Sequence, residues 1–108
     1  MNRQAGGWGF LTNHARVLLA IARDPATRIR DVAASCHITE RTAQSIVCDL
    51  ERAGYVSRGR IGRRTQYALR LDGKLRHPAE AHLPVSDLIA LFTGRDREDP
   101  SGQKRAAP

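Results

Sequence analysis

Four arginines fall within seven residues, Arg58-Gly59-Arg60-Ile61-Gly62-Arg63-Arg64. A guanidinium is planar, always charged and carries its donors in a fork. Such a run suits phosphate oxygens or the negative, narrow minor groove of a duplex. Arg41 and Gln44 stand earlier, among Thr39, Thr42 and Ser45. Arginine can hold guanine O6 and N7 together, glutamine can hold adenine N6 and N7, and small hydroxyls permit close approach to base edges. Arg52 lies further along, where a phosphate is the better partner. Both groups also have a plain reading, a solubilising loop and a solvated helix face. The second is weakened because the face lacks the Glu–Lys pairs usual on one.

These residues need elements to aim them. Ala43, Ile46, Val47 and Leu50 recur at i, i+3, i+4 and i+7, which predicts a helix buried on that face. Its opposite face carries Arg41, Ser45, Cys48 and Arg52, flanked by Thr42, Gln44 and Asp49. Thr39 caps the start and Gly54 ends it by the left-handed route. Before it, Asp31 to Cys36 reads as a short helix and His37 as the tight turn, because histidine tolerates positive φ better than most residues. Ile38 plugs that turn, and Thr27-Arg28-Ile29 reads as a short strand. After it, Tyr55-Val56-Ser57 and Thr65 to Leu69 read as strands around the arginine loop, with Gly59 and Gly62 as its flexible points. From Arg28 to Leu71 the order is helix, turn, helix, strand, basic loop, strand. That order suits a helix in the major groove and a hairpin wing on the neighbouring backbone or minor groove.

The flanks are different in kind. Residues 1–7 read as a flexible polar leader, followed by an apolar cluster of Trp8, Phe10 and Leu11. Thr12 caps a helix running to about Arg23, stopped by Asp24-Pro25. Its apolar arc spans roughly 200°, wider than the stripe of about 100° a one-sided helix needs, which predicts two clients. His14 lies inside the arc, as a hydrogen-bonded core residue or a ligand sensor. Residues 72–84 show no periodicity. Val85, Leu88, Ile89 and Phe92 then mark an amphipathic helix closed by Gly94, and residues 95–108 read as a disordered tail.

The chain has 108 residues, with 18 Lys+Arg against 11 Asp+Glu, a formal net charge of +7. One small core and a polyanionic partner follow. Lys74 and Lys104 are lysines and the other basic residues are arginine, a bias that a GC-rich genome also produces. No apolar run approaches the ~20 residues of a membrane span, and the leader lacks a signal-peptide core. The expected location is cytoplasmic, on the nucleoid. Two cysteines without paired spacing oppose a disulfide or zinc framework. Cys36 reads as core. Cys48 lies outward beside Arg41 and Arg52, either a redox-sensitive thiol or a small residue near DNA. His77, Glu80 and His82 make either a weak metal set or a structural linker; no metal and no cofactor are expected. No constellation for catalysis is present, so an enzyme is not expected.

The residues Arg30-Asp31-Val32-Ala33, Ile38 to Thr42, Asp49-Leu50-Glu51-Arg52-Ala53-Gly54-Tyr55-Val56 and the Gly62-Arg63-Arg64 wing resemble winged-helix transcription regulators of the MarR and ArsR kind. More narrowly the chain looks like a group of small actinobacterial members, through Trp8 to His14 and Leu75 to His82. His37 departs from the glycine that group tends to have. The resemblance spans roughly residues 8–93. It implies a mainly α fold with a small β-hairpin, a winged helix-turn-helix with an extra N-terminal helix and a C-terminal amphipathic helix. It also implies a dimeric DNA-binding repressor or activator. Carried onto this chain, the base-reading residues are Thr39, Arg41, Thr42, Gln44 and Ser45, with Arg52, Arg58, Arg60, Arg63 and Arg64 on the backbone.

The expected layout is thus a DNA-binding domain over 8–71 and a linker with a dimerisation helix over 72–94. Trp8, Phe10, Leu11, Val85, Leu88, Ile89 and Phe92 are the candidate dimer surface, because two helices carry apolar area beyond the needs of a small core. The expected partners are double-stranded DNA and a second copy, with no membrane; a small-molecule effector is left unassigned. A nonspecific or architectural nucleic-acid binder, or a protein-interaction winged helix, are the alternatives.

Overall fold

The computed structural model describes residues 8–94, so the expected leader and tail lie outside the described residues. The order is α1 (Asn13–Arg23), α2 (Ile29–Cys36), α3 (Glu40–Arg52), β1 (Val56–Ile61), β2 (Arg64–Leu69) and α4 (Val85–Ile89). The last continues as a π-helical turn, Ala90–Gly94. Helices with one antiparallel hairpin make a winged helix-turn-helix, as expected.

Helix α1 starts where Thr12 Oγ1 accepts the Ala15 N–H at 3.1 Å, which satisfies one of the first-turn donors. Val17, Leu18, Leu19 and Ile21 are buried around more than one side of it. Both clients of this wide arc lie within the chain. One is the pair α2 and α3; the other is the turn after α4, where Arg23 Nη2 donates to the Phe92 carbonyl at 3.2 Å. His14 is not a core residue. It is half-exposed at the open end of the helix, because its position in the first turn lies beyond the edge of the packed layer.

The expected strand over Thr27-Arg28-Ile29 is absent. Ile29 opens α2, and the Arg28 carbonyl accepts the Asp31 and Val32 N–H groups. The hairpin meets this stretch one step earlier, where Tyr67 N–H donates to the Pro25 carbonyl at 2.9 Å. Proline has no N–H to return, so the contact does not grow into a ladder. His37 follows α2 at φ 60 and ψ 44, the left-handed turn expected of it, and Ile38 packs against the core.

Helix α3 is capped by Thr39 Oγ1, which accepts the Thr42 N–H at 3.0 Å, and it buries Ala43, Ile46, Val47 and Leu50 as its periodicity predicts. Gly54, at φ 86, lets Tyr55 N–H return to the Leu50 carbonyl and closes the helix. The hairpin is longer than its residue types suggest. β1 begins at Val56 rather than Tyr55 and runs through Arg58, Gly59, Arg60 and Ile61, pairing Val56 with Leu69 and Ile61 with Arg64. The seven-residue loop shrinks to the two-residue turn Gly62-Arg63. Only Gly62 has positive φ in that turn; Gly59 is an ordinary strand residue. Positive φ at the first turn position alone is the pattern of a type II′ hairpin, whose twist matches its strands.

The segment after the wing is pinned by Tyr55. Its hydroxyl donates to the Lys74 carbonyl, and its ring lies where a side chain at Gly73 would meet it at 3.0 Å. Lys74 and Pro84 form an isolated bridge, and Val85 and Ile89 then enter the same buried cluster as α1, α2 and α3.

His37 carries the one positive φ of a non-glycine residue among those described. Relieving it with His37→Gly should raise unfolding free energy by up to about 1 kcal/mol, net of glycine's entropy in the unfolded chain. His37→Val should lower it by more. Urea midpoints at unchanged slope measure both, and a glycine variant less stable than the parent refutes the strain.

Candidate nucleic-acid interface

Burial of one face of α3 leaves Thr39, Arg41, Thr42, Gln44, Ser45 and Arg52 exposed on the rest of it. Thr39 and Thr42 are partly occupied, since Thr39 Oγ1 also donates to Thr42 Oγ1 at 2.9 Å. The Arg41 side chain has no polar partner among the described residues.

The helix is held from both sides. On one flank His14 Nε2 lies 2.8 Å from Asp49 Oδ2, tying α3 to the start of α1, and Arg52 Nη1 stands 3.8 Å from Asp49 Oδ1. On the other flank Arg58 Nη2 donates to Glu51 Oε1 at 2.8 Å and to Cys48 Sγ at 3.8 Å, tying α3 to β1. The Arg58 guanidinium holds the Glu51 carboxyl below the ordinary carboxylate range, through the hydrogen bond above all. Burial pushes the Tyr67 phenol up, opposite Arg58 in the hairpin register. Cys48 is therefore half-buried against Arg58, not open between Arg41 and Arg52.

The wing arginines divide in use. Arg58 faces α3. Arg64 Nη2 donates to the Ala26 carbonyl at 2.8 Å and props β2 against the turn before α2. Arg60 Nη2 reaches the Arg63 carbonyl at 3.4 Å across the tip. The Arg63 side chain has no polar partner among the described residues. A guanidinium has five donors, so Arg60 and Arg64 keep others for a ligand.

The two ion pairs were not legible in the sequence. Helix α3 carries three acids, Glu40, Asp49 and Glu51, against two arginines, and nothing in its local spacing says which acids are paired. Naming His14, 35 residues away, needs the packing angle of α1 on α3. The candidate dimer residues divide too. Val85 and Ile89 are buried in the chain's own core, Leu11, Leu88 and Phe92 are half-buried, and Trp8 and Phe10 are exposed. His77 Nδ1 accepts the Ala79 N–H at 3.0 Å, closing the linker turn that carries Glu80 and His82. A cleft of about 820 Å³ opens between the start of α1, the end of α3 and the linker. Leu11, Leu18, Leu50, Leu75 and Leu88 line it, with Arg52 and Arg76 at its edges.

The model of the MarR family matches residues 8–64, a span that takes in α1 to the start of β2. No curated protein matches the sequence. Among solved structures, the PcaV transcriptional regulator from Streptomyces coelicolor, in complex with its natural ligand, is similar in fold, with a TM-score of 0.51 at 23% identity. The match takes in 78% of this chain and 61% of that one. The chain thus spans about three fifths of the PcaV length.

Glu51→Gln should destabilise the fold by about 1 kcal/mol or less, since the pair is partly solvated. A carboxyl whose folded value is depressed contributes above its unfolded value and loses that contribution as pH falls through the folded one. The difference between parent and variant should therefore be full at neutral pH and fade below about pH 4. Denaturant titrations at both pH values measure it, and a difference that persists in acid would show that charge is not its source.

Proposed function

The chain belongs to the MarR family, and on that premise we propose that it is a sequence-specific DNA-binding transcriptional regulator acting as a homodimer. Helix α3 enters the major groove, and the wing lies on the adjacent backbone or minor groove. One observation carries this reading. Between the Asp49 and Glu51 pairs, α3 presents Arg41, Gln44 and Ser45 to solvent on a helix tied to α1 on one flank and to β1 on the other. Base reading needs such fixed donors, whereas a nonspecific binder needs only charge.

Dimerisation follows from the apolar surface left over. Trp8 and Phe10 stack edge to face at 5.3 Å, with Phe10 92% exposed. Leu11 and Leu88 lie at the adjoining cleft. A two-fold axis through this patch would set two α3 helices to read half-sites about one turn of DNA apart. Val85 and Ile89 contribute by fixing α4 in place. The cleft also suits an effector, one with an apolar body and an anionic group for Arg52 or Arg76, bound beside the Asp49 end of α3.

Selection from a random DNA library, using the full chain, tests specificity. Arg41→Ala should cost about 1–3 kcal/mol on the best site and relax preference at one position. Arg63→Ala should weaken all sequences alike and lower the salt slope by about 1. Equal loss on every sequence for Arg41→Ala would make it a phosphate contact. For assembly, the unmodified protein should sediment as a dimer at tens of micromolar. Phe10→Glu with Leu88→Glu should give a helical monomer that loses far more affinity for a two-half-site operator than for one half-site. A monomeric parent removes the dimer and the palindrome it implies.

A further inference from the structure

Ile61 is 65% exposed at the end of β1, immediately before the Gly62-Arg63 turn. Single apolar residues on a surface are ordinary. This one stands at the tip of the hairpin, and the other large apolar residues of the hairpin are packed: Val56 and Tyr67 buried, Leu69 half-buried. Strand alternation explains why. Val56, Arg58 and Arg60 share the face turned toward the body with Leu69, Tyr67 and Thr65, whereas Ile61 pairs with Arg64 on the other face. An exposed, β-branched residue on a two-stranded edge is a liability unless something covers it.

Its surroundings say what would. No acidic residue occurs between Glu51 and Asp72, and Arg60, Arg63 and Arg64 surround the tip. That setting is complementary to a polyanion and repels a basic partner such as a second wing. The tip is also stiff. The turn has two residues, Arg60 crosses it to the Arg63 carbonyl, and Arg64 braces the hairpin on Ala26.

We propose that Ile61 is an apolar wedge, which the wing inserts from the minor groove between two base pairs, kinking the DNA. This rests on the DNA-binding reading above and adds DNA bending to it. An apolar side chain forced between bases partly unstacks them and bends the duplex by about 20–90°. The cost is smallest at flexible pyrimidine–purine steps, so the wedge selects sequence at a position where no hydrogen bond is made. Arg60, Arg63 and Arg64 flank the wedge along the hairpin, and their spare donors are the groups that phosphates on either side of the groove would meet.

The test uses the full chain and a duplex bearing its selected site, with a dye at each end. Energy transfer reports the bend, and 2-aminopurine at the step under the wing reports unstacking. Ile61→Thr keeps the branched, strand-favouring shape and adds a hydroxyl; Ile61→Leu keeps the apolar character and moves the branch. The parent and Ile61→Leu should bend the site and brighten the probe. Ile61→Thr should lose at least half the bend and bind several-fold more weakly, with an unchanged salt slope because no charge is removed. Bound but straight DNA with the parent, or a bend equally large with Ile61→Thr, overturns the wedge while leaving the DNA-binding reading intact. Loss of the bend in Ile61→Leu as complete as in Ile61→Thr also overturns it, since apolar character would then not matter. A parent that binds no duplex at all overturns both.

Discussion

Helix α1 is the post on which the domain is built. Its apolar side chains cover more than half its circumference, and Val17 and Ile21 have no exposed surface at all. Removing such side chains from water stabilises a fold by about 1.5–3 kcal/mol each, and each here needs a neighbour on its own side of the helix. α2 and α3 take one side, and the turn after α4 takes the other. The position of α3 is therefore a consequence of how α1 is covered. The 72–94 segment is held by the same demand, through Val85 and Ile89.

A helix packed on one face can still shift about its own axis by a few degrees, and readout of base edges is intolerant of that. The chain limits the motion with charge. Asp49 and Glu51 point to opposite flanks of α3, toward His14 of α1 and Arg58 of β1. Each has a partner in the same chain, Asp49 the His14 imidazole and Glu51 the Arg58 guanidinium. Arg41 and Arg63 are among the side chains with no polar partner among the described residues.

What the sequence shows and what it hides divide along the range of the interactions. Thr12, Thr39, Gly54 and the 43–46–47–50 spacing act within one or two turns, and each helix they announce is present. His37 in the left-handed region was legible for the same reason. The strand expected over 27–29 fails because β-pairing is a property of two segments: Ile29 has strand-favouring chemistry, but the hairpin reaches Pro25 instead. The wing departs from its composition in the opposite sense. Arginine and glycine are loop-like by composition, yet paired backbone carries them as strand up to a two-residue turn. His14 belongs by periodicity to the apolar arc. Only its place at the end of α1, past the packed layer, makes it a surface group able to reach Asp49.

The excess of arginine over lysine has two readings, the base composition of the gene and the chemistry of the site, and the structure separates them locally. Arg23 and Arg64 each donate to a backbone carbonyl far away in sequence, Arg60 donates to one across the turn, and Arg58 bridges a carboxylate and a sulfur. These contacts use one edge of a planar fork and leave other donors facing out. An ammonium is a compact point charge, so a lysine committed to a carbonyl has little geometry left with which to meet a phosphate in a set direction. A short hairpin has few residues with which both to brace itself and to present charge. Arginine lets the same side chains do both, and on a wing with two turn residues that economy is what allows the tip to be rigid and positive together.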